Sequence, residues 1–584
     1  MYLPTTRKEA ESLGWHTLDI ILVSGDTYID SPFMGVAVIG NVLAAHGYRV
    51  GVIAQPDIRS RTDISRLGEP ALFWGITGGS VDSMIANYTP LKKRRKSDDF
   101  TPGGLNNRRP DRAVIAYANL IRRYFKATAP IVLGGIEASL RRIAHYDFWS
   151  NNIRRSILFD ARADFLLFGM AHQSVIQLAR ALQTGSAADT IPGLAYISKI
   201  PRGVMLPDFG SVSTDKKAYA ESFRLFYQHT DPVTASPLCQ QHTDRYLVLN
   251  RPAPFSTTAE LDAIHDLDYE RDLHPYYRRH GTVKALDTIR FSIPIHYGCY
   301  GECHFCAITV HQGRTVRCRS EASIVKEARK ISTLSDFKGY ITDLGGPTAN
   351  MYGFECKKKI KKGICRDKRC LFPNVCKTLD PDHGAFMKLI KKVEALPGIK
   401  KVFISSGIRY DMILADASAG QRFLKKITAD NISGQMKIAP EHTRDRVLKL
   451  MGKQDISRLL EFKHQFDRLS RESGKRQFLT YYLIAAHPGC TADDMKAVKA
   501  FAVSKLNTSP EQVQIFTPSP STWSTLMYYT ETDPFTGKRL FVEKDPGKKE
   551  KQKQIVTRKA SPNHKPGKRG QAGKNRSRPH GKRR

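Results

Sequence analysis

Three cysteines, Cys299, Cys303 and Cys306, fall within eight residues, directly after the apolar run Phe291–Ile295. That run reads as a strand, so the three thiols sit together on the loop at its exit. A C-x3-C-x2-C loop constrains the chain strongly, because three soft thiolates brought this close select one iron–sulfur cluster or one zinc ion. A closed zinc site needs a fourth ligand, and His296 or His304 is at hand for it. A four-iron cube held by three cysteines instead keeps one iron open to a substrate or cofactor. The chain has ten cysteines, and Met1–Trp15 carries charges and no apolar core, unlike an export signal. Reduced thiols in the cytoplasm, available for metals rather than disulfides, are therefore expected. No apolar run reaches the roughly 18 residues of a membrane helix, so no membrane contact is expected.

Around the triplet the chain reads as alternating strands and helices. In residues 1–200 the apolar runs 18–23, 49–54, 71–76, 129–133 and 164–168 read as strands, several ending at glycine, and 35–46 reads as a helix. This pattern predicts a Rossmann-like parallel sheet with any ligand at the carboxyl ends of the strands. Residues 201–285 read as a mostly helical connector. Residues 286–544 give six further strand candidates, 291–295, 339–344, 401–405, 435–438, 478–484 and 512–516, with amphipathic helices between them. The fold class expected is α/β, with the second unit a partial (β/α)6 barrel whose chemistry lies at the C-terminal rim. The segment 545–584 is expected to be a disordered basic tail, since residues 547–584 hold fifteen Lys/Arg and one acidic residue.

A second group, Cys356-x8-Cys365-x4-Cys370-x5-Cys376, lies in a Cys-rich insertion at 350–380. Four thiols in this span suit an auxiliary cluster or a zinc ion; idle thiols on a surface insertion are the alternative. Cys239, Cys318 and Cys490 read as structural. The net charge of +36 and the run Lys92–Lys96, with Arg108, Arg109 and Arg112 nearby, raise nucleic acid as a partner, against the alternative of a solvated basic surface.

With Phe305 between Cys303 and Cys306, the triplet resembles the radical S-adenosylmethionine signature. Ser24–Pro32, Gly134–Arg142, the triplet and Ser405–Asp411 together make residues 15–540 similar to the YgiQ family of radical SAM proteins. The resemblance implies a cobalamin-binding-like Rossmann domain followed by the radical SAM barrel. It implies a [4Fe–4S] cluster on Cys299, Cys303 and Cys306 with exchangeable S-adenosylmethionine. Cofactor contacts fall to Phe305, to the Gly345–Gly346 turn, to Ser405 and to Glu441; Pro347, His487 and Cys490 depart from the superfamily pattern. Cobalamin itself is not expected, because Asp26, Tyr28 and Asp30 offer no imidazole where the lower-ligand motif would stand. An electron donor of the flavodoxin or ferredoxin type is implied. No residue is marked as catalytic and no substrate is named. The function expected is reductive cleavage of S-adenosylmethionine to a 5′-deoxyadenosyl radical. The alternative is a non-catalytic iron–sulfur or zinc protein that binds nucleic acid through its basic surface.

Overall fold

The computed structural model describes residues 1–558. Its first unit is a nine-stranded sheet built from β1 (Ile20–Ser24), β2 (Val50–Ala54), β3 (Phe73–Thr77), β4 (Ile131–Gly134), β5 (Phe165–Leu167), β6 (Leu194–Ser198), β7 (Val204–Leu206), β8 (Leu238–His242) and β9 (Arg245–Leu249). The strands lie in the order β7-β8-β9-β6-β5-β4-β3-β1-β2. β1 to β5 are parallel, and their order 2-1-3-4-5 is a doubly wound one that opens a crevice beyond the carboxyl ends of β1 and β3. Every residue of β1 and β2 is buried. Both faces of these strands are covered, which is why they read as unbroken apolar runs.

The stretch expected to be a mostly helical connector is not one. β7, β8 and β9 come from it and extend the first sheet, with β9 antiparallel to β6 and β8 antiparallel to β9. Helices at Lys216–Gln228 and Thr258–Asp266 supply the helical part.

The second unit carries all six anticipated strands: β10 (Ser292–Pro294), a second strand in two pieces, β11 (Tyr340–Ile341) and β12 (Asp343–Gly345), then β13 (Lys401–Val402), β14 (Gln435–Glu441), β15 (Phe478–Ala485) and β16 (Val513–Ile515). β10 pairs with β12, β11 with β13, β14 with β15 and β15 with β16, all parallel. A parallel bridge from Ile408 to Ile438 joins the third and fourth strands. The strands thus run in sequential parallel order, in three short sheets linked through the split second strand and the Ile408–Ile438 bridge.

The two units share side chains. Phe516, Trp523, Leu526, Met527 and Tyr528, from the end of the barrel, pack in the same apolar cluster as β1, β3 and β4. A buried charge cluster also joins them: Glu327 accepts from Arg271 and, at 2.5 Å, from Arg319.

The expected disordered tail needs correction from its first residue. Pro546–Thr557 is a helix, capped by Asp545, whose Oδ1 accepts the Lys548 N–H at 2.7 Å. Its buried face is Lys549, Gln552 and Val556. Gln552 Oε1 accepts the Ala486 N–H at 3.0 Å, and Lys549 Nζ donates to the Tyr528 hydroxyl at 2.9 Å. The rest of the expected tail, 559–584, lies outside the described residues. Among the described residues no helix is long and apolar enough to cross a membrane.

Candidate metal centre

The triplet loop leaves β10 through His296–Tyr297, which pairs with Arg317–Cys318. Gly298 starts the loop at φ 78°. A Cβ there would strike the Thr315 carbonyl, so this turn requires glycine. All three cysteines are free and partly exposed. The Gly301 N–H donates to Cys299 Sγ at 3.3 Å, and a Cβ on Gly301 would stand 3.3 Å from Cys299 Sγ and 3.6 Å from Cys303 Sγ. Glycine thus clears the space between these two sulfurs. Burial, with the charges of neighbouring cysteines, pushes the Cys299 thiol up and the Cys306 thiol up to about 12. Three such thiolates call for a cation to offset them.

One cation of the chain itself is already there. Arg409 Nη1 stands 3.6 Å from Cys303 Sγ. Its guanidinium is buried and held by Asp411, with Nε to Oδ1 at 2.9 Å. Asn350 clamps the Arg409 backbone from both sides, accepting its N–H at 2.8 Å and donating to its carbonyl at 3.0 Å. Behind Asn350, His383 Nε2 lies 3.1 Å from Nδ2, and His383 Nδ1 lies 2.6 Å from Asp416 Oδ2. The Ser405–Asp411 motif signalled this region; the roles of Arg409 and Asp411 were missed, although both lie inside it.

The other expected contacts fall on the same rim. Gly345 ends β12, and a Cβ there would sit 2.6 Å from Ser406 Oγ. A Cβ on Gly346 would sit 2.5 Å from the His296 ring. That ring is buried, neither of its nitrogens has a partner, and burial lowers its pKa to about 4. His304, the other candidate fourth ligand, is committed elsewhere, with Nδ1 2.7 Å from the Leu450 carbonyl and Nε2 against Arg369. Ser405 is engaged with its own scaffold: its N–H donates to Asp343 Oδ1 at 2.7 Å and its hydroxyl to the Thr342 carbonyl at 2.7 Å. Asp343, not singled out from the sequence, therefore shapes the third-strand exit. Glu441 ends β14 at φ 70°, and burial raises its carboxyl to about 7 against the pull of Lys453 and Arg409. Phe305 meets the His487 ring edge-on with centroids 6.4 Å apart. His487 Nε2 lies 2.7 Å from Ser524 Oγ, so the residue that departs from the superfamily pattern is a buried structural one here.

The run Lys92–Lys96 is exposed throughout, as is Arg108, whereas Arg109 and Arg112 are engaged by carboxylates. Arg109 is fully buried between Asp26 and Asp98, at 2.6 and 2.8 Å, and Arg112 pairs with Asp147 at 2.6 Å. Arg94 pairs with Asp111 at 3.5 Å. A cavity of about 340 Å³ opens beyond the carboxyl ends of β1, β3, β4 and β5. Ser24, Asp26, Thr77 and His172 line it on one side, and Ile308 and His311 on the other. Those last two belong to the short helix Ile308–His311 that follows Cys306.

Comparison with known proteins gives the following. The family profile described as Radical SAM N-terminal matches residues 2–292. The UPF0313 protein FN0734 of Fusobacterium nucleatum is 56% identical over 561 residues, covering 96% of this chain and 99% of its own. A UPF0313 protein of Thermotoga maritima is 47% identical, covering 95% and 98%. Among solved structures, the radical S-adenosylmethionine methyltransferase TsrM of Kitasatospora setae, with cobalamin and a [4Fe–4S] cluster bound, is 14% identical at TM-score 0.49, covering 86% of this chain and 74% of that one. The cobalamin-dependent S-adenosylmethionine radical enzyme OxsB is 11% identical at TM-score 0.49, covering 88% and 56%. Both of those structures hold cobalamin, and the expectation that cobalamin does not bind this chain is not borne out.

Proposed function

Because the chain belongs to the UPF0313 family, the YgiQ-type radical SAM proteins, we propose that Cys299, Cys303 and Cys306 hold a [4Fe–4S] cluster and that the barrel rim beside it binds S-adenosylmethionine. The observation that carries this is three free, unpaired thiols on one loop at the carboxyl end of the first barrel strand, with a buried guanidinium against them. When bound, the cluster and cofactor would supply one-electron cleavage of the sulfonium carbon–sulfur bond to a 5′-deoxyadenosyl radical, the electron coming from a flavodoxin- or ferredoxin-type donor.

The chain's own residues do the positioning. Arg409 offsets the thiolate charge beside Cys303, and Asp411 and Asn350 fix its orientation. Gly301 leaves room between two sulfurs, and Gly345 and Gly346 bring bare backbone to the rim. His296 offers two unpartnered nitrogens next to Gly346, and Glu441 offers a carboxyl at the fourth-strand exit. Phe305 and His487 pack the side of the loop away from water. The burial of Arg109 and the pairing of Arg112 with Asp147 take up two of the basic residues on which nucleic-acid binding without catalysis would rest.

The test is cofactor turnover. Protein reconstituted without oxygen and reduced with dithionite should convert S-adenosylmethionine to 5′-deoxyadenosine. Cys299→Ala, Cys303→Ala and Cys306→Ala should each abolish this, since each removes one of three protein ligands. Zinc at one equivalent with no iron in the anaerobic wild-type protein would sink the reading.

A further inference from the structure

The insertion after β12 is a packed part of the second unit. Phe354, Leu371 and Leu379 are buried in the barrel core, and Gln454 Nε2 donates to the Leu371 carbonyl at 3.0 Å. Within it, Cys356, Cys365, Cys370 and Cys376 line one small cavity. None of the four is in a disulfide, and Cys356 is buried. Four basic residues, Lys358, Lys359, Lys368 and Arg369, stand in the rest of its wall with Thr378 and Leu379, and its one carboxylate is Glu302.

We propose that Cys356, Cys365, Cys370 and Cys376 hold a second iron–sulfur cluster, ligated entirely by the protein. Four thiolates are a complete set for such a cluster. Their summed negative charge accounts for a wall of lysine and arginine around thiols that would otherwise need no counter-charge. Among the described residues no three Cys, His, Asp or Glu side chains close to the spacing of a single ion, and this holds for the triplet as for the quartet. A cube takes its thiolates at separate corners, farther apart than the ligands of one ion.

The geometry also ties this cavity to the triplet loop. Glu302 lies between Cys299 and Cys303 in sequence, yet it faces the second cavity. Lys359 Nζ donates to Glu302 Oε1 at 3.2 Å and stands 3.6 Å from Cys370 Sγ. The Cys356 N–H donates to the hydroxyl of Tyr300, another triplet-loop residue, at 3.0 Å. One lysine and one tyrosine therefore connect the two cysteine sets directly.

The experiment uses the full chain prepared without oxygen, with iron and sulfide analysis and Mössbauer and electron paramagnetic resonance spectra. The wild-type protein should carry about eight iron, two four-iron clusters. The triple variant C299A/C303A/C306A should keep about four and a reducible cluster signal while losing all cofactor cleavage. Adding C356S/C365S/C370S/C376S should remove the remaining iron. Against the case that this variant does not fold, Cys365→Ser alone is the second test, and it should change one of two cluster signals and leave the other unaltered. Four iron in a wild-type protein that cleaves the cofactor would overturn this proposal and leave the functional one standing. Zinc in place of iron in the triple variant, or no metal there, would also overturn it.

Discussion

Arg409 shows how much one side chain decides at the triplet. Its charge is buried and balanced by Asp411, and its remaining donor faces Cys303. Replacing it by Met leaves the buried Asp411 carboxylate without its cation, with the Met412 N–H left to donate to it, which costs about 3–5 kcal/mol. We expect Arg409→Met to lower the melting temperature markedly, and Arg409→Met with Asp411→Leu to recover part of the loss; equal melting of wild type and single variant would refute the pairing. Arg409→Gln should make the cluster's reduction potential more negative, read by a redox titration followed by electron paramagnetic resonance, because a positive charge favouring the reduced form is gone. At this scale the sequence was readable where chemistry sits in spacing, as in Cys299-x3-Cys303-x2-Cys306. It was unreadable where a role depends on a distant partner. Nothing near Glu302 in sequence announces Lys359, and nothing near Arg409 announces Asn350.

Among the elements, β1 and β2 were legible because every residue in them is buried and the runs are apolar, and β14 and β15 because buried residues alternate with more exposed ones. β8 and the C-terminal helix were not, because polar residues do their packing. Gln240 in β8 is buried, accepting the Ala144 N–H at 2.9 Å and donating to the Pro207 carbonyl at 3.0 Å. In the helix Pro546–Thr557 the buried positions are Lys549 and Gln552 beside Val556, a face that reads as solvated until its partners are seen. Two outcomes follow for this helix. Ending the chain after Arg558 should leave cluster content unchanged, whereas ending it at Asp545 should lower cluster retention and solubility, because Gln552 braces the exit of β15. Burial lowers the Lys549 ammonium to about 8. Below that value the lysine is charged both folded and unfolded and its burial cost is fully felt. Between about 8 and the ordinary lysine value the unfolded chain binds the extra proton, so docking of the helix strengthens as pH rises. Hydrogen exchange over 546–557, corrected for its intrinsic pH dependence, should show more protection at pH 9.5 than at 7.5, and Lys549→Met should flatten that difference.

The whole molecule holds its two α/β units by a shared core and a buried charge cluster, and no linker separates them. Trp523, Met527 and Tyr528 leave the barrel to pack with the first sheet, so the barrel unit produced alone should be insoluble. Trp523→Ala should cost about 3–5 kcal/mol and destabilise both units together, seen as one lowered transition by calorimetry; two separated transitions would argue against the common core. The parallel sheet was readable from strand–glycine–helix alternation, but its strand order and the strands that extend it from residues 204–249 were not. The helix Ile308–His311 has a consequence of another kind. One of its ends continues the loop of Cys306, and one of its faces walls the cavity of the first sheet. A molecule filling that cavity and a cluster in that loop would rest on the same four residues. Their binding free energies would then be linked and the linkage reciprocal, so whatever factor cluster assembly imposes on the cavity's affinity, the cavity's occupant must return to the cluster.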